Sequence, residues 1–298
     1  MNKPITLLIL ILLVFFQTQA QDDLLKLVDS SKPAKEYVSR AFKSSRVING
    51  HSMEMIPKGN MDFRILHRFG LVNTGVNNLW GLDQATMRFG FDFGLLRDLT
   101  IGIGRSTVNK EWDGFIKYRA VQQSRGPGSF PISIVGVAGM TYSTMPWSDP
   151  NRENFTSSRI AYYGLIIFGR KFNDYLTLQV SPTMVHRNLV PLETDENDAY
   201  AVGLGGRLKL SRRVAFVLDY HYIISGVDKD IYSNPLSMGV DIETGGHVFQ
   251  LHFSNSQGMN EKAFITNTTD KWNKGEVRFG FNLSRMFVIN KKTKGENW

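Results

Sequence analysis

The 298-residue chain has no cysteine, which excludes disulfides and cysteine-ligated metals. Long apolar runs are missing beyond the first twenty residues. With 42% hydrophobic residues and a mean hydropathy of −0.20, a bundle of membrane helices is excluded. Dense basic blocks are missing too. The net charge is +8, but the Lys and Arg residues are scattered and form no stripe to follow a phosphate backbone, so nucleic acid is not an expected partner. The histidines lack any His-x-x-x-His spacing, so neither a metal nor a cofactor is expected. The stretch Gly203-Leu204-Gly205-Gly206 is no phosphate loop, because it sits in an alternating segment with no helix after it. Glycine there serves curvature or a close inward contact.

What the chain does contain begins with MNKPITLLILILLVFFQTQAQ. Lys3 precedes an apolar run from Ile5 to Phe16, and Thr18-Gln19-Ala20 offers small residues for cleavage. The run is shorter than the roughly 17–25 residues that span a bilayer. Residues 1–20 therefore read as a cleavable signal peptide for export. Residues 21–45 read as a periplasmic or lumen segment, with Leu24, Leu25, Leu27 and Val28 forming a short amphipathic helix before Pro33.

From Val47 to Ile289 the apolar residues recur with period two, the strand period. The clearest stretches are MDFRILHRF (61–69), DGFIKYRAV (113–121), YLTLQVS (175–181), AVGLGGRLKL (201–210), RVAFVLDYHY (213–222), HVFQLHF (247–253) and VRFGFNLS (277–284). The connections alternate between tight ones, such as 95–98, 171–174 and 211–212, and mostly long polar ones, such as 70–83, 142–156 and 255–274. Two unlike rims are the mark of an outer-membrane barrel, with tight turns facing the periplasm. Trp80, Trp112, Trp147 and Trp272 lie beside the long class, as an interfacial aromatic girdle requires. About 13 strands can be counted, an odd number for such a barrel. The total is about 12 if one segment is misread and about 14 if 37–43 is a strand. Alternatively, the N-terminal segment rises through the lumen as a plug.

The expected fold is an all-β antiparallel transmembrane β-barrel of about 12–14 strands over residues 46–290, with a C-terminal tail at 291–298. Lipid is the simplest cover for its apolar face, because in hydrocarbon every backbone polar group of a strand must be paired, as in a closed barrel. A soluble sandwich or ligand-binding barrel is the competing reading; it would bury Phe and Leu and expose Arg. The alternation turns Met87, Phe89, Phe91, Phe93, Leu178, Phe216, Leu251, Phe253 and Phe281 outward. It turns Arg64, Arg68, Arg88, Asp92, Lys117, Arg119, Arg207, Lys209, Asp219, His221, His252 and Arg278 toward the lumen. In this set cations outnumber carboxylates, and in an open lumen they would favour anions. In a filled barrel they would interlock with loop carboxylates such as Glu193, Asp195 and Glu196.

The segments RVINGHS (46–52), FRILHRFG (63–70), LWGLDQATMRFGFDFGL (79–95), WDGFIKYRAVQQS (112–124), TGGHVFQLHFSNSQGM (244–259) and GEVRFGFNLSRMF (275–287) together resemble a family of uncharacterised Bacteroidota outer-membrane β-barrels, defined as a domain of unknown function. The resemblance covers nearly the whole mature chain. It implies an outer-membrane barrel, no reaction, and no site residues. The tail NKKTKGENW departs from familiar porins, which end on an aromatic residue of the last strand.

Three functional readings follow. The first is a passive or gated channel for small polar or anionic solutes. The second is a non-conducting structural or partner-binding barrel. The weakest is a membrane lipid hydrolase using His252 and Ser254, which share a strand face. That face points inward and no Asp or Asn completes a triad, so no enzyme activity is expected. Expected partners are outer-membrane lipid, the outer-membrane assembly machinery and a periplasmic or surface protein.

Overall fold

The computed structural model describes residues 35–147, 149–151 and 153–290. The expected signal peptide, the amphipathic helix and the tail from residue 291 lie outside the described residues. Twelve antiparallel strands close into one barrel. In chain order they are β2 (Asn60–Leu71), β3 (Ala85–Leu96), β4 (Leu99–Ser106), β5 (Glu111–Val121), β7 (Ser133–Ser143), β8 (Ile160–Lys171), β9 (Leu176–Arg187), β10 (Asp198–Lys209), β11 (Val214–Ser225), β12 (Leu236–Thr244), β13 (His247–Ser254) and β14 (Arg278–Val288). The short pieces β1 (Glu36–Tyr37) and β6 (Ser124–Arg125) pair with each other outside the barrel. The last strand closes on the first, with Val288 opposite Asn60 and Leu283 opposite Ile65.

The count of twelve settles the odd number. Residues 47–56 alternate like a strand but are not in the wall. Arg46 and His51 instead bridge to one another, with Val47 N–H donating to Gly50 O (2.8 Å) and Ser52 N–H to Ser45 O (3.0 Å). This tight hairpin stands inside the barrel, and the wall begins at Asn60 rather than at residue 46.

Connections on one rim are short: 97–98 follows β3, 172–175 follows β8, 210–213 follows β10 and 245–246 follows β12. The strands β2, β7, β9, β11 and β13 lead into the long loops of the other rim. Loop 255–277 carries a helix, α1 (Glu261–Thr266), that the period-two pattern does not announce. On the outer wall Phe89, Phe91, Leu178, Phe216, Phe249, Leu251 and Phe253 are exposed, as a lipid-facing band requires. Trp80 and Trp112 are exposed on the long-loop rim, and Phe172 and Tyr175 on the short-turn rim. The band thus has an aromatic girdle at both interfaces.

Phe91, mid-strand on β3, tests this band. Phe91→Arg should lower folding stability in lipid by about 2–4 kcal/mol, and Tyr118→Arg near the rim by about 0–1 kcal/mol. Reversible denaturant titrations in vesicles read both, and equal costs would contradict the placement of the hydrocarbon.

Candidate functional site

The lumen is filled from both ends. From the short-turn rim, residues 38–59 enter beside β6, where Val38 N–H donates to Gln123 O (2.8 Å). The segment climbs to the 45–52 hairpin and returns to the rim at Pro57. Phe42, Val47, Ile48, Met53 and Ile56 are buried along it. From the long-loop rim α1 dips inward, burying Phe264 and Ile265. Its start is fixed by Asn260, whose side chain accepts from Ala263 N–H (2.8 Å) and donates to Glu111 (3.0 Å). Lys262 pairs with the same carboxylate at 2.6 Å.

The two intruding elements meet at Arg46. Its guanidinium reaches Glu261 of α1 at 2.9 Å and Asn49 O at 2.7 Å, with both side chains about 1% exposed. It also contacts His51 Nε2 at 3.3 Å. A guanidinium only donates, so Nε2 accepts and the His51 proton belongs on Nδ1. Burial, followed by the charges of Arg46 and Lys117, holds this imidazole well below its ordinary pKa, so it stays neutral. The Phe115 ring packs edge-on to His51 at 4.5 Å and lies 5.8 Å from Arg46.

The lumen-facing side chains expected from the alternation divide into two groups. Arg64, Arg68, Arg88, Asp92, Lys117, Arg207, Asp219, His221 and His252 are buried inside. Arg119, Lys209 and Arg278 are only half-buried. Of these, Arg119 pairs with Asp98 (2.6 Å) at the short-turn rim and Arg278 with Asp270 (2.8 Å) at the other. Around the hairpin the wall is organised by charge. The Ser45 hydroxyl bridges Asp92 (3.0 Å) and Arg64 (2.8 Å). Arg64 also pairs with Asp62 at 2.5 Å, and Arg88 is paired bidentately with Asp113. Arg68 has Asn49 (2.6 Å) and Asn282 (3.0 Å) as neutral partners.

The expected excess of lumen cations is corrected here. Among the described residues, seven buried Arg and Lys side chains face eight buried carboxylates. Asp62 has the parity of Arg64, and Asp113 that of Lys117, so both were legible as inward. Asp241 and Glu111 add two more. Asp195 is the one expected loop carboxylate that enters the network, bonding Arg187 at 3.3 Å.

The lining is also not polar throughout. Val135, Val137, Tyr163, Leu165, Ile167, Val185 and Ala201 form a buried apolar patch with Phe42, Met53, Phe264 and Ile265. The strands β7 and β8 are thus apolar on both faces, unlike the single-face pattern elsewhere. Gly169 makes the fit on β8 possible, since a Cβ there would collide with the Met53 side chain. Inward contact also explains Gly205, where a Cβ would lie 2.7 Å from Gln179 and 3.0 Å from Val47.

His252 and Ser254 are both buried inside the barrel. The Ser254 hydroxyl is bonded to Ser237 (2.7 Å) and accepts from Ser256 N–H (3.0 Å), so it turns to these partners rather than to His252. The imidazole lies against Gly280 of β14, where a Cβ would come within 2.6 Å of its Nε2, and a Cβ at Gly239 of β12 would strike the Leu251 carbonyl and the base of the His252 side chain.

Residues 42–287 match the family model described as "Membrane bound beta barrel domain (DUF5777)". A comparison with curated proteins finds no match. Among solved structures, the NanC porin aligns at 7% identity and TM-score 0.48, covering 76% of this chain and 98% of that one. The KdgM porin aligns at 8% identity and TM-score 0.46, covering 76% and 99%. Omp33 of Acinetobacter baumannii aligns at 9% identity and TM-score 0.39, covering 77% and 99%.

Removing one member of the Arg46–Glu261 pair leaves a buried charge alone. Arg46→Gln and Glu261→Gln should each destabilise the folded barrel by about 3–5 kcal/mol, and the double variant by clearly less than their sum. A double-mutant cycle in denaturant measures this; strict additivity would show that the two side chains do not interact.

Proposed function

Because the chain belongs to the membrane-bound β-barrel domain family, we propose that it is an outer-membrane channel for small polar solutes, held shut in this state by its own N-terminal segment. The observation that carries this reading is that residues 45–56 are no part of the wall, yet fill the lumen. The wall is hydrogen-bonded strand to strand all the way round without them, so it keeps its backbone pairing when they leave. A barrel of twelve strands has an interior wide enough to hold a channel once it is vacated. Opening removes Arg46, and a retreat of α1 removes Glu261. Six buried cations and seven carboxylates then remain, so the balanced lining favours polar solutes without a preference for anions. In this reading lipid surrounds the wall, a cleaved leader delivers the chain for export, and the outer-membrane assembly machinery inserts it.

A second reading, a non-conducting barrel that serves a structural or partner-binding role, is favoured by one observation. The inner face of β7 and β8 is apolar and packed against the segment, as in a closed core.

Planar-bilayer recording separates the two. The intact chain should be silent, whereas a variant lacking Val38–Pro57 should give stable conductance steps with a cation-to-anion permeability ratio near one. A folded variant that conducts nothing would remove the channel reading and leave the structural one.

A further inference from the structure

The wall treats residues 45–56 as a peptide ligand. Ten hydrogen bonds from wall side chains end on backbone atoms of this segment. Asp219 alone accepts from three successive N–H groups, Ile48 (3.2 Å), Asn49 (2.7 Å) and Gly50 (2.9 Å). Gln179 spans the returning arm, accepting from Met53 N–H (3.0 Å) and donating to His51 O (2.7 Å). Gln250 donates to Val47 O (2.5 Å) and Asn282 to Ile48 O (3.0 Å). Lys117 donates to Ser45 O (3.2 Å) and Glu54 O (2.5 Å), and Thr100 accepts from Ile56 N–H (3.2 Å). By contrast, among the described residues strand side chains bond only the side chains of Ser45 and Asn49 in this stretch.

The β7–β8 wall supplies apolar seats. Phe42, Met53 and Met55 of the segment belong to the same buried apolar cluster as Val135, Leu165 and Ile167, and Gly169 is hollowed for Met53. Main-chain hydrogen bonds and side-chain pockets are the two ingredients of general peptide recognition: the first gives affinity for any backbone, the second selects anchors. A lining built to pass only water and ions needs neither.

We propose that the lumen is a peptide-binding site, that residues 42–57 are its resident occupant, and that its ligand class is a peptide with apolar anchors flanking a tight polar turn. The proposal rests on the channel reading in one respect only, that the segment can leave. It goes beyond that reading by naming what occupies the lumen when the pore is shut: such a peptide competes with the segment for the same ten backbone bonds and the same seats.

The test keeps the whole chain. A protease site is inserted in the exposed turn between Lys58 and Gly59, the protein is folded in lipid, and the turn is then cut. The freed segment should stay bound and should exchange for a fluorescent synthetic peptide of residues 38–57. A peptide with Ser45, Asn49 and Ser52 changed to Ala should exchange within about tenfold of the parent, because its backbone is unchanged. One with Phe42, Met53 and Met55 changed to Ser should lose binding by at least about a hundredfold, since all three buried anchors are given up. Asp219→Asn in the barrel should shorten retention of the freed segment at least about tenfold, the loss expected for a charge-assisted acceptor. A freed segment that never exchanges, or that exchanges only for its own unaltered sequence, overturns the proposal. Conductance recorded on the cut protein keeps the two readings apart. Steps that the peptide fails to block would sink the peptide site and leave the channel. Peptide exchange without any conductance after wash-out would sink the channel and leave the site.

Discussion

The whole arrangement depends on one constraint: hydrocarbon offers no hydrogen-bond partner, so no strand edge facing it can be left open. That forces β14 back onto β2 and makes the wall a closed surface. Closure at twelve strands creates an interior too wide for the inward side chains alone to fill. Water or protein must occupy it, and here the chain supplies two pieces. A hairpin from the N-terminal side enters at the short-turn rim, and α1 enters from the long-loop rim. Glycines on the inner face, such as Gly104 beside the Arg88 guanidinium, clear space for the large charged side chains that complete the filling.

Filling a lumen with charges is costly unless each finds a partner, because desolvation of an ion exceeds what a poor contact returns. The wall meets this by pairing locally and across strands. Arg64 turns to Asp62 two residues away, Arg88 to Asp113 two strands over, and Arg187 to Asp195. Arg46 and Glu261 are different in kind, because they join the two intruding elements rather than two wall strands. Each element therefore sits in a site completed by the other. A displacement of α1 would strip Arg46 of its carboxylate and weaken the hairpin, which emerges at the opposite rim. The ion pair is a physical link between the two faces of the membrane.

Much of this was legible in the sequence. The period-two runs gave the strands, because a wall with lipid on one side and polar filling on the other imposes alternation. The turn classes gave the two rims. What misled was the stretch 47–56, which alternates because a hairpin inside the barrel also has two unlike faces, one toward the apolar β7–β8 lining and one toward Asp219 and Gln250. Alternation reports two environments; it does not say which two. The strands β7 and β8 escaped the single-face rule for the related reason that both their environments are apolar. The charge balance is readable in the sequence, since Asp62 and Asp113 share parity with residues placed inside, but the expected lumen set held only Asp92 and Asp219 as carboxylates. The helix α1 carries no signal of this type, since six residues are too few to display a helical stripe. Its entry into the lumen depends on long-range partners, Arg46 and Glu111, that no local pattern encodes.

The balance of forces on the hairpin also fixes what could take its place. Its hydrogen bonds to Gln179, Gln250 and Asn282 are individually worth about 0.5–1.5 kcal/mol net, and those to the Asp219 carboxylate about 1.5–3 kcal/mol, because water or another backbone replaces them on release. Its apolar anchors have no such substitute. Phe42, Met53 and Met55, and with them the apolar cluster they share with Val135, Leu165 and Ile167, would meet water, at about 1.5–3 kcal/mol for each anchor side chain. A small hydrophilic solute can satisfy the polar half of this lumen but leaves the apolar half wet. The β7–β8 lining therefore opposes simple exchange of the hairpin for water and hydrophilic solutes, and it lowers the cost of release for any occupant that brings apolar side chains of its own.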